Sequence, residues 1–179
     1  GNQAHAEYLE QMAGKFFDLL QKYHGLGERE RLLLRLAAIL HDCGKFISMS
    51  APGECAYQII MSTEILGISH MEREMVACIV RYNTMELPNF SEFDGKLGND
   101  KYLIVMKLAA ILRVCNALDR SHRQKFADMK LTIKDSNIVI TTAYPDNITL
   151  EKKTLQDKQD FFEEVYGLGF EIKQKKKKQ

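Results

Sequence analysis

The sequence has no apolar run approaching the roughly 20 residues that would cross a bilayer. Its first twenty residues mix charge with apolar positions at helical spacing, so no secretory leader is expected. Cysteine is sparse. Cys43, Cys55, Cys78 and Cys115 lie far apart with no C-x-x-C pair, which points to free thiols and a cytoplasmic setting. There is no G-x-x-x-x-G-K-[ST] phosphate loop and no glycine pair flanked by carboxylates, so ATPase-like phosphate chemistry is not expected here. An excess of one charge is also missing: the net is +1. Residues 171–179 hold Lys173, Lys175, Lys176, Lys177 and Lys178 against Glu171, a local +4 that leaves −3 for the rest. The body is therefore not a nucleic-acid binder by charge, and the lysine end is either a solvated tail or a hold on a polyanion.

What is present is a globular composition, 45% hydrophobic and 27% charged, long enough at 179 residues for one domain with a small appendage. The chain begins with Gly, so a processed or excised piece is expected. Its organising stretch is Leu32–Ser48, LLLRLAAILHDCGKFIS. Apolar residues from Leu32 to Leu40, broken only by Arg35, predict a core helix buried on most of its circumference. It runs into His41-Asp42, then Gly44, the usual residue for a left-handed helix stop, and Lys45. Two metal-competent side chains at the negative end of a helix favour a cation. The same residues also fit ordinary helix-ending chemistry.

In chain order, the periodicity predicts helices over 4–24, with His5 at its start, and over 28–42. Further helices are predicted over 54–66, over 70–83 with a Ser69–Glu72 capping box, and over 101–122. The segment 84–100, with Pro88, Gly95 and Gly98, reads as a loop. After about residue 124 the character changes. Leu131–Ile133 and Ile138–Thr142 form a predicted hairpin, 151–166 an amphipathic helix, and Phe170–Lys173 a final strand. The fold class is mainly α: an all-α part over 1–124, then a small α+β (β-β-α-β) subdomain over 125–179 with a Lys-rich tail. His24, His70 and His122 read as solvated or capping, and Tyr57 and Tyr82 as core.

His5, then His41-Asp42 closing a core helix, resembles the opening of the HD metal-phosphohydrolase pattern. More narrowly, LAAILHDCGKFIS, AYQII, VRYN, LAAILRVCNALDRSH and a tail with GLGFEI fall in order over nearly the whole chain. Together they resemble the C-terminal region of the exopolyphosphatase/guanosine-pentaphosphate phosphatase (Ppx/GppA) family. The resemblance implies an HD-domain-like helical bundle that extends a cleft for polyphosphate or guanosine polyphosphate and supports a homodimer. The main phosphatase site would then lie on N-terminal actin-like domains absent from this chain. Membrane and nucleic-acid partners are not expected.

It also implies metal ligands at His5, His41 and Asp42, for a divalent ion (Mn, Fe, Zn or Mg) at an HD site that is degenerate in this chain. The late acidic ligand of the pattern falls on Asn116, a poor neutral ligand, with Asp119 three residues on as a displaced substitute. Asp119 has Arg120 or Arg123 as its expected partner. Gly53, Glu54, Cys55 and Asn83 stand where relatives carry histidines. Polyanion contacts are assigned to Arg113, Arg120, Arg123 and Lys125, with Arg120 and Arg123 adjacent on one helix face; an ordinary solvated face is the alternative. The competing reading is an active metal-dependent HD phosphohydrolase acting on a phosphate ester or nucleotide, in which Lys45 contacts the phosphate.

Overall fold

Leu9, Met12, Ala13, Phe16 and Phe17 recur at three- and four-residue steps, and all five are buried along helix α1 (Asn2–Leu19). The computed structural model describes residues 2–45, 47, 50–86, 89 and 97–175. Lys176, Lys177 and Lys178 of the lysine end, and Pro88 and Gly95 of the predicted loop, lie outside the described residues. The first predicted helix is divided at Leu20, and a single turn, α2 (Gln21–His24), follows. Gly25 ends it in the left-handed region at φ 64°. His24 closes that end: its Nε2 donates to the Phe17 carbonyl at 2.9 Å and its Nδ1 accepts from the Leu26 amide at 2.9 Å.

Helix α3 (Glu28–Leu40) packs along α1, tied by ion pairs Arg31–Asp18 and Arg35–Glu10. Its buried stripe is Leu33, Leu34, Ala37 and Ala38, whereas Leu32 and Ile39 are exposed, so less of its circumference is covered than its composition predicts. Helix α4 (Pro52–Met61) opens on a proline that needs no amide partner there. Helix α5 (His70–Thr84) starts on the predicted capping box: Ser69 Oγ accepts from the Glu72 amide at 3.1 Å and Glu72 accepts from the Ser69 amide at 2.9 Å.

The central helix is α6 (Gly98–Leu118), which touches α1, α3 and α5 and is buried almost without interruption from Leu108 to Leu118. It ends at Leu118, four residues short of the predicted boundary, because Asp119 leaves the helix at φ −117°, ψ 34°. Residues 119–129 then run as turns, anchored by the fully buried Phe126.

Strands β1 (Lys130–Lys134) and β2 (Asn137–Thr142) pair antiparallel about a two-residue Asp135-Ser136 turn, both residues at positive φ (51° and 60°), as a hairpin of right-handed twist requires. Helix α7 (Thr149–Tyr166) crosses over to β3 (Gly169–Gln174), which pairs parallel to β2, giving sheet order β1-β2-β3. Helix α7 lies on α6, with the Tyr166 hydroxyl donating to the Lys107 carbonyl at 2.8 Å. One apolar cluster runs from Leu9 through Ile111 to Ile138 and Phe162. The chain is thus mainly α with a small mixed sheet near its C-terminal end, as its residue patterning predicts.

Candidate metal centre

Three pieces of chain meet at one end of α6. The first turn of α1 brings His5, the end of α3 brings His41 and Asp42, and the turn after α6 brings Asp119 and His122. Gly44 lets the His41–Lys45 turn lie against α4. A Cβ on it would sit 2.2 Å from the Pro52 carbonyl oxygen and 2.6 Å from the Ala56 amide nitrogen. Gly44 is not in the left-handed region, so close approach rather than a left-handed stop is what requires glycine there.

The two imidazoles have their tautomers set by what lies behind them. His5 Nδ1 is 2.6 Å from Asp119 Oδ2, both side chains fully buried. His41 Nδ1 is 2.6 Å from the Ala38 carbonyl oxygen. Neither a carboxylate nor a carbonyl can donate, so both Nδ1 atoms carry the proton. In the neutral rings the lone pairs therefore lie on the two Nε2 atoms, which face each other at 3.2 Å. Two acceptors at that distance repel unless a proton or a metal ion sits with them.

Asp42 completes the set, with Oδ2 3.2 Å from His41 Nε2 and Oδ1 held by Lys45 Nζ at 2.9 Å. Burial works to raise the Asp42 carboxyl, but a proton on His41 Nε2 directed at it, joined by Lys45, outweighs burial and holds the group well below the usual carboxylate range. His5, His41 and Asp42 each offer one ligand atom, all within 4.8 Å of one another. Ligands about 2.1 Å from one ion at tetrahedral or octahedral angles lie about 3.0–3.4 Å apart, so the His–His and His–Asp edges, each 3.2 Å, fit a single ion, and the His5–Asp42 edge lies within 4.8 Å. Two imidazoles and one carboxylate suit Mn, Fe or Zn better than Mg.

The structure reassigns two neighbours. Asp119 pairs with neither Arg120 nor Arg123. Its carboxylate serves His5 and accepts from the Gln124 amide at 2.8 Å and Gln124 Nε2 at 3.2 Å. His122 is not simply solvated: its ring stacks on His5 with centroids 3.7 Å apart and planes 10° apart. Burial, and then the neighbouring His5, push the His122 imidazole below its ordinary value. Nothing in the residue spacing marks His122, because it reaches His5 only through a turn at φ 58°. His24 has the capping role expected of it, and exposed His70 meets Arg73 at 2.8 Å.

The four basic candidates do not gather on one helix face. Arg113 donates to the Met85 carbonyl at 3.2 Å, and its guanidinium lies 5.0 Å over the Phe161 ring. It faces a cavity of about 1250 Å³ also lined by the acidic Glu86, Asp157, Asp160, Glu163 and Glu164. Burial lowers the Arg113 pKa from its ordinary value. Lys125 is spent inside, on Glu151 at 2.6 Å and the Asn147 carbonyl at 2.8 Å. Arg120 and Arg123 are exposed, but both lie beyond the end of α6 rather than on its face.

A model of the Ppx/GppA phosphatase family, domain III, matches residues 2–160 of the chain. No curated protein matches it. No helix among the described residues is long and apolar enough to cross a membrane.

Proposed function

Since the chain belongs to the Ppx/GppA phosphatase family, as its domain III, we propose that it holds the phosphate chain of a polyphosphate or guanosine polyphosphate through one divalent ion on His5, His41 and Asp42. The phosphatase chemistry itself belongs, in this reading, to actin-like domains N-terminal to it, and the subunits pair as a homodimer in the cytoplasm. The observation that supports the ion is the pair of Nε2 lone pairs 3.2 Å apart, each fixed by a partner that cannot donate. An ion held by these three residues would offer a further ligand position to a phosphate oxygen and offset part of its charge. Exposed Arg120 and Arg123, in the same turn as Asp119 and His122, supply the flanking positive charge. Arg113 and Lys125 contribute less, because their donors are already engaged.

Three protein ligands leave coordination positions open, and Lys45 stands beside them on Asp42. That arrangement favours a second reading, a phosphohydrolase complete in this chain, in which Lys45 contacts the phosphate. One experiment separates the two. The purified chain, loaded with Mn²⁺ or Zn²⁺ and desalted, is analysed for metal and titrated with tripolyphosphate by calorimetry. Stoichiometric metal, metal-dependent binding and loss of both in His41→Ala are the expected results, with no release of orthophosphate. Equal binding by the metal-free protein would refute the ion as the phosphate holder, and release of orthophosphate lost in His41→Ala would establish the second reading.

A further inference from the structure

His5 is the most precariously placed of the three proposed ligands. It sits in the first turn of α1, where helices fray, while His41 and Asp42 share one turn braced against α4. Its ring is nonetheless fully buried and held on two sides by a segment more than a hundred residues away. Asp119 takes Nδ1 at 2.6 Å, and His122 covers one ring face at 3.7 Å. The carboxylate is itself fixed by both donors of Gln124. This grip needs the chain to turn sharply: His122 and Gln124, neither of them glycine, lie in the left-handed region at φ 58° and 49°.

We propose that Asp119 is the positioning residue of the ion site: it fixes the tautomer and direction of His5 and thereby sets how tightly the site holds a divalent ion. The proposal rests on the metal reading above and departs from the pattern of its resemblance. The negative charge expected as a ligand at Asn116 acts here from behind an imidazole, through Asp119. A carboxylate hydrogen-bonded to the far nitrogen of a ligating histidine raises its basicity and stops the ring from turning; losing such a partner costs about 10–100-fold in metal affinity. His122 limits rotation out of plane by stacking. The turn after α6 therefore acts as the back wall of a site whose front is His5, His41 and Asp42.

The test uses the whole chain and two readouts, one of which needs no metal. In ¹⁵N-histidine spectra of the metal-free protein, His5 is expected as the Nδ1–H form with a strongly deshielded proton, and Asp119→Asn is expected to abolish that signature. Co²⁺ titration followed by visible absorption is expected to show about 10–100-fold weaker binding in Asp119→Asn. Gln124→Ala, which keeps the carboxylate but loosens it, is expected to fall between. It stands in as the decisive variant if Asp119→Asn fails to fold. His122→Ala, which removes the stack, is expected to bind more weakly than the wild type. Unchanged affinity in Asp119→Asn or, where that variant does not fold, in Gln124→Ala, or an Nε2–H form of His5 in the wild type, overturns the proposal. A wild type that binds no Co²⁺ refutes the metal reading; the tautomer signature then decides separately whether Asp119 orients His5.

Discussion

Two buried charge centres flank the turn that follows α6, and they are built differently. At one end Asp119 stands behind His5, and the cluster in front of it leaves two Nε2 lone pairs facing each other. Six residues on, Lys125 meets Glu151 at 2.6 Å and the Asn147 carbonyl at 2.8 Å, with one Glu151 oxygen also 3.4 Å from the Ser121 hydroxyl. The second centre matches cation to anion within the chain through Glu151 Oε1, its buried Oε2 having no hydrogen-bond partner among the described residues, and ties the start of α7 to the turn. The first matches acceptor against acceptor and is completed only by something from outside. Burial alone does not separate the two centres; whether a buried acceptor faces a cation or another acceptor does.

The comparison is tested most severely at Lys125. Lys125→Met leaves the fully buried Glu151 carboxylate without its cation, and about 3–5 kcal/mol of stability should be lost, read as a lower urea midpoint. Adding Glu151→Leu should restore most of that, since an apolar pair removes the orphaned charge. The metal affinity of a refolded Lys125→Met/Glu151→Leu protein should match the wild type. If the double variant lost the ion as well, the two centres would not be separable.

A middle-sized effect is expected at Gly44, which belongs to the first centre but touches no ligand. In Gly44→Ala the new methyl meets backbone atoms of α4, at 2.2 Å from the Pro52 oxygen, which cannot move aside as a side chain does. Forced overpacking of this kind costs about 1–3 kcal/mol. Because Asp42 is two residues away, the variant should also bind Co²⁺ more weakly. A variant as stable as the wild type and unchanged in affinity would show that the turn is not braced on α4.

Much of the fold was legible because periodicity reports which side of a helix is buried. Met12 and Phe16 on the first helix and the Ser69–Glu72 cap stand where their spacing predicts, and the β-rich run Ile138–Thr142 is a strand. The resemblance also marks His5, His41 and Asp42 as candidates, and the fold brings their ligand atoms together. Two things were not legible. Side-chain bonds outcompeted the helix at Asp119, whose carboxylate accepts from Gln124, so α6 stops early and Arg120 and Arg123 share no helix face. The partners of Asp119 and His122 are also set by tertiary contact across more than a hundred residues, which local pattern does not carry.

The smallest effect is expected where a charge pair faces solvent. Arg29 reaches Glu72 at 2.7 Å and 2.9 Å, joining the starts of α3 and α5, with the arginine half exposed. The hydrogen bond from Arg29, followed by that from the Ser69 amide, pulls the Glu72 carboxyl down to about 2 from an ordinary 4.5. A carboxyl lowered by folding stabilises the folded chain above its unfolded value and loses that contribution as pH falls from 4.5 towards 2. Glu72→Gln keeps the reciprocal bond to Ser69 but removes the charge. At pH 7 it should melt slightly below the wild type, as exposed pairs contribute little, and the gap should close by about pH 2. A gap that persists at low pH would assign the difference to the cap rather than to the ion pair. A gap as large as that of Lys125→Met would mean that solvent exposure does not separate strong charge pairs from weak ones in this chain.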